Sequence, residues 1–280
     1  LMDNSYQACF ETAVILAGGK SKRMGFDKQL LEKDHKRLTV ALAESLLKLF
    51  DQVYVVTNTP ELYRGLAVRT CSDLYPGQGP MAGIHSAFRA SGSECIFVIA
   101  CDMTGISPDL IRYQAERFCR AWSRENHAAV SRSDGAKPGS IAVASRSDGA
   151  EPGSITAASR SDGAEPGSIT AAGKSDGADS GSIAAASRSY SAQPSDAEAC
   201  MICPDGKIEP FHGFYRRSLL EDIERRLQAQ RNSLTGMLMD HEILRISREE
   251  AGRYADLQNL FRNINTPGDY RKYLETEAEQ

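Results

Sequence analysis

Three short apolar runs that alternate with amphipathic segments constrain the fold of this chain more than any other feature. The apolar runs are Ala13–Ala17, Val53–Thr57 and Cys95–Cys101. They are rich in Val and Ile, as expected of strands that are buried on both faces. The segments TVALAESLLKLF, GPMAGIHSAFRA and SPDLIRYQAERFCRAW have helical spacing. This alternation predicts an α/β fold with a mostly parallel sheet and helices on both faces.

The residues that follow the strands are the candidates for function, because ligands of such sheets bind beyond the carboxyl ends of the strands. After the first run comes GGKSKRMGFDK, in which two glycines are followed by four cationic side chains. Glycines let backbone N–H groups approach phosphate oxygens, and cations neutralise the phosphate charge. A Walker A loop would need a glycine at Val14, and the spacing does not give G-x-G-x-x-G either. The sequence therefore predicts a phosphate-binding loop of a different kind.

A single carboxylate, Asp102, follows the third apolar run. Ser107 already serves as the cap of the next helix, so Asp102 is not needed there. Mg²⁺ prefers one or two carboxylates together with phosphate oxygens and waters. We therefore expect Asp102 to be a magnesium ligand. The segment SDLYPGQGPMAGIHSA offers Asp73 and three glycines before a helix, as a second loop that could approach a ligand.

Two asparagines precede the C-terminal helix. Asn263 and Asn265 alternate as in a strand, so both are expected on one face, where their amides could donate and accept hydrogen bonds. Thr266, Pro267 and Asp269 form a capping signature for the helix that follows.

Tandem repeats of 14 residues interrupt this pattern. Copies such as SRSDGAEPGSITAA offer one isoleucine and many turn formers, which favours a disordered insert over a folded solenoid. We divide the chain into residues 1–130, which carry the predicted phosphate-binding loop, residues 131–199, the insert, and residues 200–280, which carry the two asparagines. The segments immediately before and after the repeats each have the pattern of a short strand followed by a turn. The sequence therefore does not decide which flank supplies the native strand.

Composition places the chain among cytoplasmic proteins that act on small molecules. It has 280 residues, 41% hydrophobic and 25% charged, with a net charge of -4. A nucleic-acid partner would usually need a basic face. No run approaches the length of a membrane helix, and no secretory signal is recognisable. Seven cysteines scattered through apolar segments fit a reducing compartment.

Several segments together resemble the molybdenum cofactor guanylyltransferase family. Residues Leu16 to Leu31 fit the family motif L-A-G-G-x-S-x-R-M-G-x-D-K-x-L-L at every fixed position. The other similar segments are GPMAGI, CDM, EPFHGFYRRSLL and FRNINTPGD. Thr104 replaces the proline that the family carries after CDM, and the repeats are a departure from the family pattern.

The resemblance implies a three-layer α/β/α sandwich of the Rossmann-like, nucleotide-diphospho-sugar transferase type. It implies that GMP is transferred from GTP to molybdenum-molybdopterin with Mg²⁺ as the cofactor. The implied nucleotide-binding residues are Leu16, Ala17, Gly18, Gly19, Lys28, Asn58, Asp73 and Asp102. Arg23 and Lys28 would lie at the phosphates, Asp102 would hold the metal, and Asn263 and Asn265 would lie on the molybdopterin side. Residues 1–130 would thus be the GTP-binding part of the nucleotidyltransferase domain, and residues 200–280 its molybdopterin-side part.

Other readings remain open at this point. A related transferase could use CTP or another phosphate acceptor, and a non-catalytic relative could only bind the nucleotide or cofactor. The repeats could tether a molybdoenzyme or its cofactor-insertion chaperone. Cys200 and Cys203 form a C-x-x-C pair, but no second pair lies at a spacing typical of zinc, so we expect them to be alternating strand residues.

Overall fold

The computed structural model describes residues 4–18, 27–103, 105–133 and 197–278. The strands are β1 (Thr12–Leu16), β2 (Glu32–Lys33), β3 (Lys36–Arg37), β4 (Gln52–Val56), β5 (Arg69–Cys71), β6 (Cys95–Ala100), β7 (Ala199–Cys203), β8 (Glu209–Arg216) and β9 (Ile243–Ser247). The helices are α1 (Asn4–Cys9), α2 (Leu38–Leu46), α3 (Pro80–Ser91), α4 (Pro108–Ser133), α5 (Leu220–Gln228), α6 (Leu234–Met239), α7 (Arg248–Gly252), α8 (Leu257–Leu260) and α9 (Pro267–Ala278).

Seven of these strands form one sheet in the order β5-β4-β1-β6-β8-β7-β9. The pairs β5–β4, β4–β1, β1–β6 and β7–β9 are parallel, whereas β8 runs antiparallel to both of its neighbours. The mostly parallel sheet is therefore confirmed. The first three predicted strands are β1, β4 and β6, and each is displaced from its predicted bounds by no more than a residue.

Helices cover both faces of the sheet, because alternate residues of the strands are buried on opposite sides. Ala13 and Ile15 of β1 belong to one apolar cluster, which α1, α2 and α4 complete. Val14 and Leu16 belong to a second cluster, on the side of α3, α5 and α6. The three-layer α/β/α arrangement follows from these two cores.

Both predicted helix caps are present. The Ser107 hydroxyl accepts a hydrogen bond of 3.2 Å from the backbone of Leu110 at the start of α4. At α9, Thr266 and Asp269 bond reciprocally: the Thr266 backbone donates to the carboxylate at 2.8 Å, and the Asp269 backbone donates to the hydroxyl at 3.1 Å. These bonds satisfy backbone N–H groups that have no partner within the helix.

The C-terminal flank of the repeats supplies the native strand, which the sequence left undecided. Residues 199–203 form β7 at the centre of a β8-β7-β9 unit, whereas residues 126–133 continue α4. Cys200 and Cys203 lie in β7 and are buried in opposite clusters, as expected of alternating strand residues. Residues 134–196 fall outside the described part of the chain, so the assignment of residues 131–199 as an insert stays a prediction.

A small third apolar cluster joins the segment after β1 to the C-terminal segment. Leu31 packs with Ile264 and Tyr273. The two-residue strands β2 and β3 form a hairpin whose turn residues, Asp34 and His35, both have positive φ angles. The C-terminal segment therefore packs beside this hairpin. None of the described helices is both long enough and apolar enough to span a bilayer.

Candidate active site

Three predicted residues converge beyond the carboxyl end of β6. The Lys28 ammonium donates to Asp102 Oδ2 at 2.6 Å and to Asn265 Oδ1 at 2.8 Å. The side chains of Lys28 and Asp102 are each only 17% exposed. A lysine of the predicted phosphate loop thus lies between the expected magnesium ligand and a residue of the expected molybdopterin side.

The position of Lys28 is set by the short 3₁₀ helix that it begins. Asp27 is the N-cap of this helix, and its carboxylate accepts a hydrogen bond of 3.0 Å from the backbone of Gln29. The helix ends at Leu30, and Leu31 is buried against Ile264. Local capping and this apolar contact therefore hold Lys28 beside the segment that carries Asn265.

Backbone contacts hold Asp102 against the same C-terminal segment. The Ile264 N–H donates to the Asp102 carbonyl at 3.2 Å, and Met103 forms an isolated antiparallel bridge with Asn263. The predicted strand around Asn263 and Asn265 is reduced to this bridge. Asn263 is exposed beside the site.

A second carboxylate, Asp73, lies close to the end of β1. A Cβ atom added to Gly18 would lie 3.9 Å from Asp73 Oδ2, and one added to Gly83 would lie 3.7 Å from Asp73 Oδ1. Burial raises the pKa of Asp73, and no described residue donates a hydrogen bond to its buried Oδ1. A buried acceptor without a donor is costly. The geometry therefore leaves a place for a donor supplied by a ligand.

Glu209 adds a third acidic group at this edge of the sheet, and the sequence reasoning missed it. It begins β8, which runs antiparallel beside β6, and its Oε1 accepts a hydrogen bond of 3.4 Å from the Phe211 backbone. Burial raises the pKa of Glu209, and the charge of Asp102 raises it further. The antiparallel direction of β8 brings the start of that strand towards the end of β6, and no local sequence pattern indicates this direction.

The other predicted residues fall into three groups. Leu16 and Ala17 are buried at the end of β1, and Gly18 is exposed directly after them. Asn58 is exposed in the loop after β4. Gly19 and Arg23 lie outside the described residues. The structure therefore brings together Lys28, Asp102 and Asn265 as one group, and Gly18 and Asp73 as a second.

The carboxylate of Asp102 fits the expected Mg²⁺. Lys28 bonds to Oδ2, and no described residue donates a hydrogen bond to Oδ1. Among the described residues, no group of three or more His, Cys, Asp or Glu side chains could hold a metal ion. Mg²⁺ does not need such a cage, because it usually takes one or two carboxylates and completes its shell with phosphate oxygens and water.

The arrangement combines three groups at one edge of the sheet: the ammonium of Lys28, the carboxylate of Asp102, which is a hard oxygen ligand, and the exposed backbone of Gly18. Such groups bind a polyphosphate: the ammonium pairs with phosphate oxygens, and the carboxylate can share a cation with them. The site is therefore built to position and neutralise charge.

Comparison with known proteins agrees with this chemistry. The MobA-like NTP transferase domain matches residues 13–244. A probable molybdenum cofactor guanylyltransferase of Peptoclostridium acidaminophilum is 30% identical over 98% of this chain and 93% of its own length. The molybdenum cofactor guanylyltransferase of Syntrophotalea carbinolica is 30% identical over 94% of this chain and 90% of its own length.

The fold is also found in a solved structure. The molybdopterin-guanine dinucleotide biosynthesis protein A of Archaeoglobus fulgidus aligns with a TM-score of 0.61 at 17% identity, over 96% of this chain and 100% of that one. At this identity the likeness establishes the fold, a mostly parallel sheet between helical layers. The family match and the relatives at 30% identity show that this chain belongs to the MobA-like NTP transferases, the family of the molybdenum cofactor guanylyltransferases, and is a nucleotidyltransferase.

Proposed function

We propose that this chain transfers GMP from GTP to molybdenum-molybdopterin, forming the molybdopterin guanine dinucleotide cofactor and pyrophosphate, with Mg²⁺ as the cofactor. The observation that carries the proposal is the position of Lys28 between Asp102 and Asn265. The family resemblance assigns these three residues to the nucleotide phosphates, the metal and the molybdopterin. Their contact supports a site in which both substrates meet.

The reaction is an in-line exchange at the α-phosphorus of GTP. An oxygen of the terminal phosphate of molybdopterin forms a bond to this phosphorus. The bond from the α-phosphorus to the oxygen that bridges to the β-phosphate breaks, and pyrophosphate leaves with the electron pair. The attacking phosphate is already an anion at neutral pH, so the reaction requires positioning and charge neutralisation rather than a general base.

The roles of the residues follow from their contacts. Lys28 would move its ammonium from Asp102 to the phosphates, where it stabilises the negative charge that develops as pyrophosphate leaves. When bound, Mg²⁺ would neutralise part of the triphosphate charge beside Asp102. Asn265 holds the Lys28 ammonium at 2.8 Å and would keep it near the incoming phosphate.

The first part of the chain would bind the nucleoside. Gly18 is exposed at the end of β1, where its backbone can approach the ligand without a side chain in the way. The buried Oδ1 of Asp73 lies near this glycine and would accept a hydrogen bond from a donor of the nucleotide. Asn58 is exposed after β4, and we assign it to the nucleotide by the same resemblance.

Pyrophosphate release tests this function. The purified protein, Mg²⁺ and molybdenum-loaded molybdopterin are combined with GTP, CTP or ATP at equal concentration, and the Asp102→Ala variant is measured beside the wild type. We expect release with GTP only, and its loss in the variant. Preference for CTP would overturn the guanylyl assignment and keep the reaction type. Absence of release with all three nucleotides, in protein shown to be folded, would overturn the transfer itself.

A further inference from the structure

The side chain of Gln29 is buried although its neighbour Lys28 points into the site. Gln29 is only 4% exposed. It occupies an open position of the family motif and carries no charge, so the motif gives no reason for a polar group there. A buried amide is destabilising unless its donors and acceptor are satisfied.

Four neighbouring side chains satisfy this amide. Its Oε1 accepts hydrogen bonds from the hydroxyls of Thr57 at 2.7 Å and Tyr63 at 2.9 Å. Its Nε2 donates to Asp27 Oδ2 at 3.0 Å and to the Thr59 hydroxyl at 3.2 Å. The carboxylate can only accept, so it fixes which end of the amide is the nitrogen.

These bonds connect two segments of the proposed nucleotide site. Asp27 and Gln29 flank Lys28, and their side chains are bonded to each other. Thr57 and Thr59 flank Asn58, and both bond to the amide of Gln29. Within the Asn58 loop, the Thr59 backbone also donates to the Thr57 hydroxyl at 3.0 Å. One buried amide therefore ties Lys28 and Asn58 together through both of their neighbours.

We propose that Gln29 is a positioning residue that holds Lys28 and Asn58 at a fixed separation in the nucleotide site. This inference rests on the proposed function, in which Lys28 contacts the phosphates and Asn58 the nucleoside. A lysine side chain has four rotatable bonds, so its ammonium is placed accurately only if its backbone is held. The hydrogen-bonded amide of Gln29 supplies this restraint on the Lys28 backbone without contacting the substrate.

An exchange of groups between positions 27 and 29 tests the proposal. In Gln29→Glu, two carboxylates face each other. In Asp27→Asn, a donor replaces one of the two oxygens that accept from the amide nitrogen of Gln29. In the double variant Asp27→Asn/Gln29→Glu, the amide introduced at position 27 donates to the carboxylate introduced at position 29, and the net charge is that of the wild type. We expect each single variant to have a higher KM for GTP and a lower kcat than the wild type. The value of kcat/KM should therefore decrease on the order of 10- to 100-fold. We expect the double variant to recover most of this loss.

A matched control separates positioning from general stability. Thr12 is buried at the opposite end of β1 and bonds to the hydroxyl of Ser93 at 2.7 Å and to the amide of Gln52 at 2.7 Å. Thr12→Val removes buried hydrogen bonds far from the site, so we expect lower thermal stability with unchanged kinetic constants at a temperature where all variants are folded.

The outcomes are distinguishable from a failure of the proposed function. If Gln29→Glu has the kinetic constants of Thr12→Val, or if the double variant recovers stability without kcat/KM, Gln29 is merely structural and the proposal is wrong. If the wild type releases no pyrophosphate, the proposed function fails, and calorimetric Mg·GTP affinity then decides the role of Gln29. In that case, the proposal is supported if both single variants bind Mg·GTP more weakly than the wild type and the double variant recovers the wild-type affinity. Equal affinity for Mg·GTP in all four proteins overturns the proposal.

Discussion

Lys28 donates a hydrogen bond of 2.6 Å to Asp102, a residue 74 positions further along the chain. The two side chains come from different loops, the first after β1 and the second after β6. Because β1 and β6 are adjacent and parallel, their carboxyl ends lie at one edge of the sheet. The pair therefore places a cation and a carboxylate where this fold binds its ligands.

Substitution of Lys28 by methionine should abolish most of the activity without unfolding the protein. Lys28→Met keeps the length of the side chain and removes the charge that we assign to the phosphates. Removal of one group that stabilises developing charge typically lowers turnover by about 10²- to 10³-fold. Steady-state pyrophosphate release measures the loss. Lys36→Met is the matched control, because Lys36 forms an exposed ion pair with Glu44, and activity within about twofold of wild type is expected there. Equal losses in both variants would contradict the role of Lys28.

Asn265 and Lys28 should show energetic coupling in a double-mutant cycle. Asn265→Ala removes an acceptor that lies 2.8 Å from the ammonium. Once Lys28 has been replaced by methionine, the loss of this acceptor should matter less. We expect a coupling of about 0.5–3 kcal/mol in transition-state stabilisation, obtained from kcat/KM of the four proteins. Additive effects would mean that Asn265 acts on molybdopterin alone.

Gly105→Ala should destabilise the loop that follows Asp102. A Cβ atom at Gly105 would lie 2.6 Å from Leu260 Cα and 2.8 Å from the Asn259 carbonyl oxygen, both backbone atoms of α8. Such overpacking typically costs about 1–3 kcal/mol. Gly252→Ala in α7 is the control, since no described atom beyond its chain neighbours and its own helix backbone lies within 4 Å of the added Cβ, and it should be neutral or stabilising. Urea unfolding of both variants gives the comparison, and an unchanged midpoint for Gly105→Ala would refute the close approach.

His212 should make the protein less stable in mild acid. The ring is fully buried in β8 with φ 60°, its Nδ1 lies 3.2 Å from Gln114 Oε1, and no described residue pairs with its Nε2. Burial lowers the pKa of His212 to about 4. The unfolded chain binds a proton near pH ~6.5 and the folded chain does not. The contribution of His212 to the free energy of unfolding is therefore fully present above pH ~6.5. As the pH falls towards 4, the free energy of unfolding decreases by about 3 kcal/mol.

The variant His212→Asn isolates this pH dependence, because asparagine tolerates a positive φ and does not titrate. Its unfolding free energy should change less between pH ~6.5 and ~4 than that of the wild type. His35→Asn is the control: His35 also has a positive φ, 62°, but is exposed. If both variants follow the wild-type pH profile, the assignment to His212 is wrong.

The repeats should be dispensable for folding and activity. The described strand β7 begins at Ala199, so a deletion must keep residues 197–199 and remove residues 134–196 only. A Gly-Ser linker of roughly 12 residues takes their place. If the repeats form the flexible loop that their sequence predicts, the shorter connection stabilises the fold by at most about 1–2 kcal/mol. Thermal unfolding and pyrophosphate release are measured, and an insoluble or inactive product would contradict this expectation.

The sequence predicted the central strands, and the position of Asp102 directly after one of them, because both depend on local signals. Short Val- and Ile-rich runs have few alternatives to buried strands, and parallel strands bring the residues after them to one edge. Asp102 could be found in this way without any knowledge of its contacts. The caps at Ser107 and Thr266 were equally local, since a cap depends on residues within one turn.

Long-range contacts and inward-facing polar groups were not predictable. The bond from Lys28 to Asn265 spans 237 positions, and no periodicity encodes such a contact. Gln29 sits within a basic motif, and an amide there looks like any exposed polar residue until its four partners are known. The sequence indicated a short strand for the segment HAAV before the repeats, but this segment continues α4 as a helix, because short apolar runs do not distinguish the two.

The most direct test of the proposed reaction follows the phosphates themselves. GTP labelled with ³²P at either the α- or the γ-phosphate is incubated with the protein, Mg²⁺ and molybdenum-loaded molybdopterin. We predict that the α-label appears in a molybdopterin guanine dinucleotide and the γ-label in pyrophosphate, with neither transfer in Lys28→Met. Release of the α-label as free GMP would contradict molybdopterin as the acceptor, and transfer of the γ-label to molybdopterin would contradict attack at the α-phosphorus.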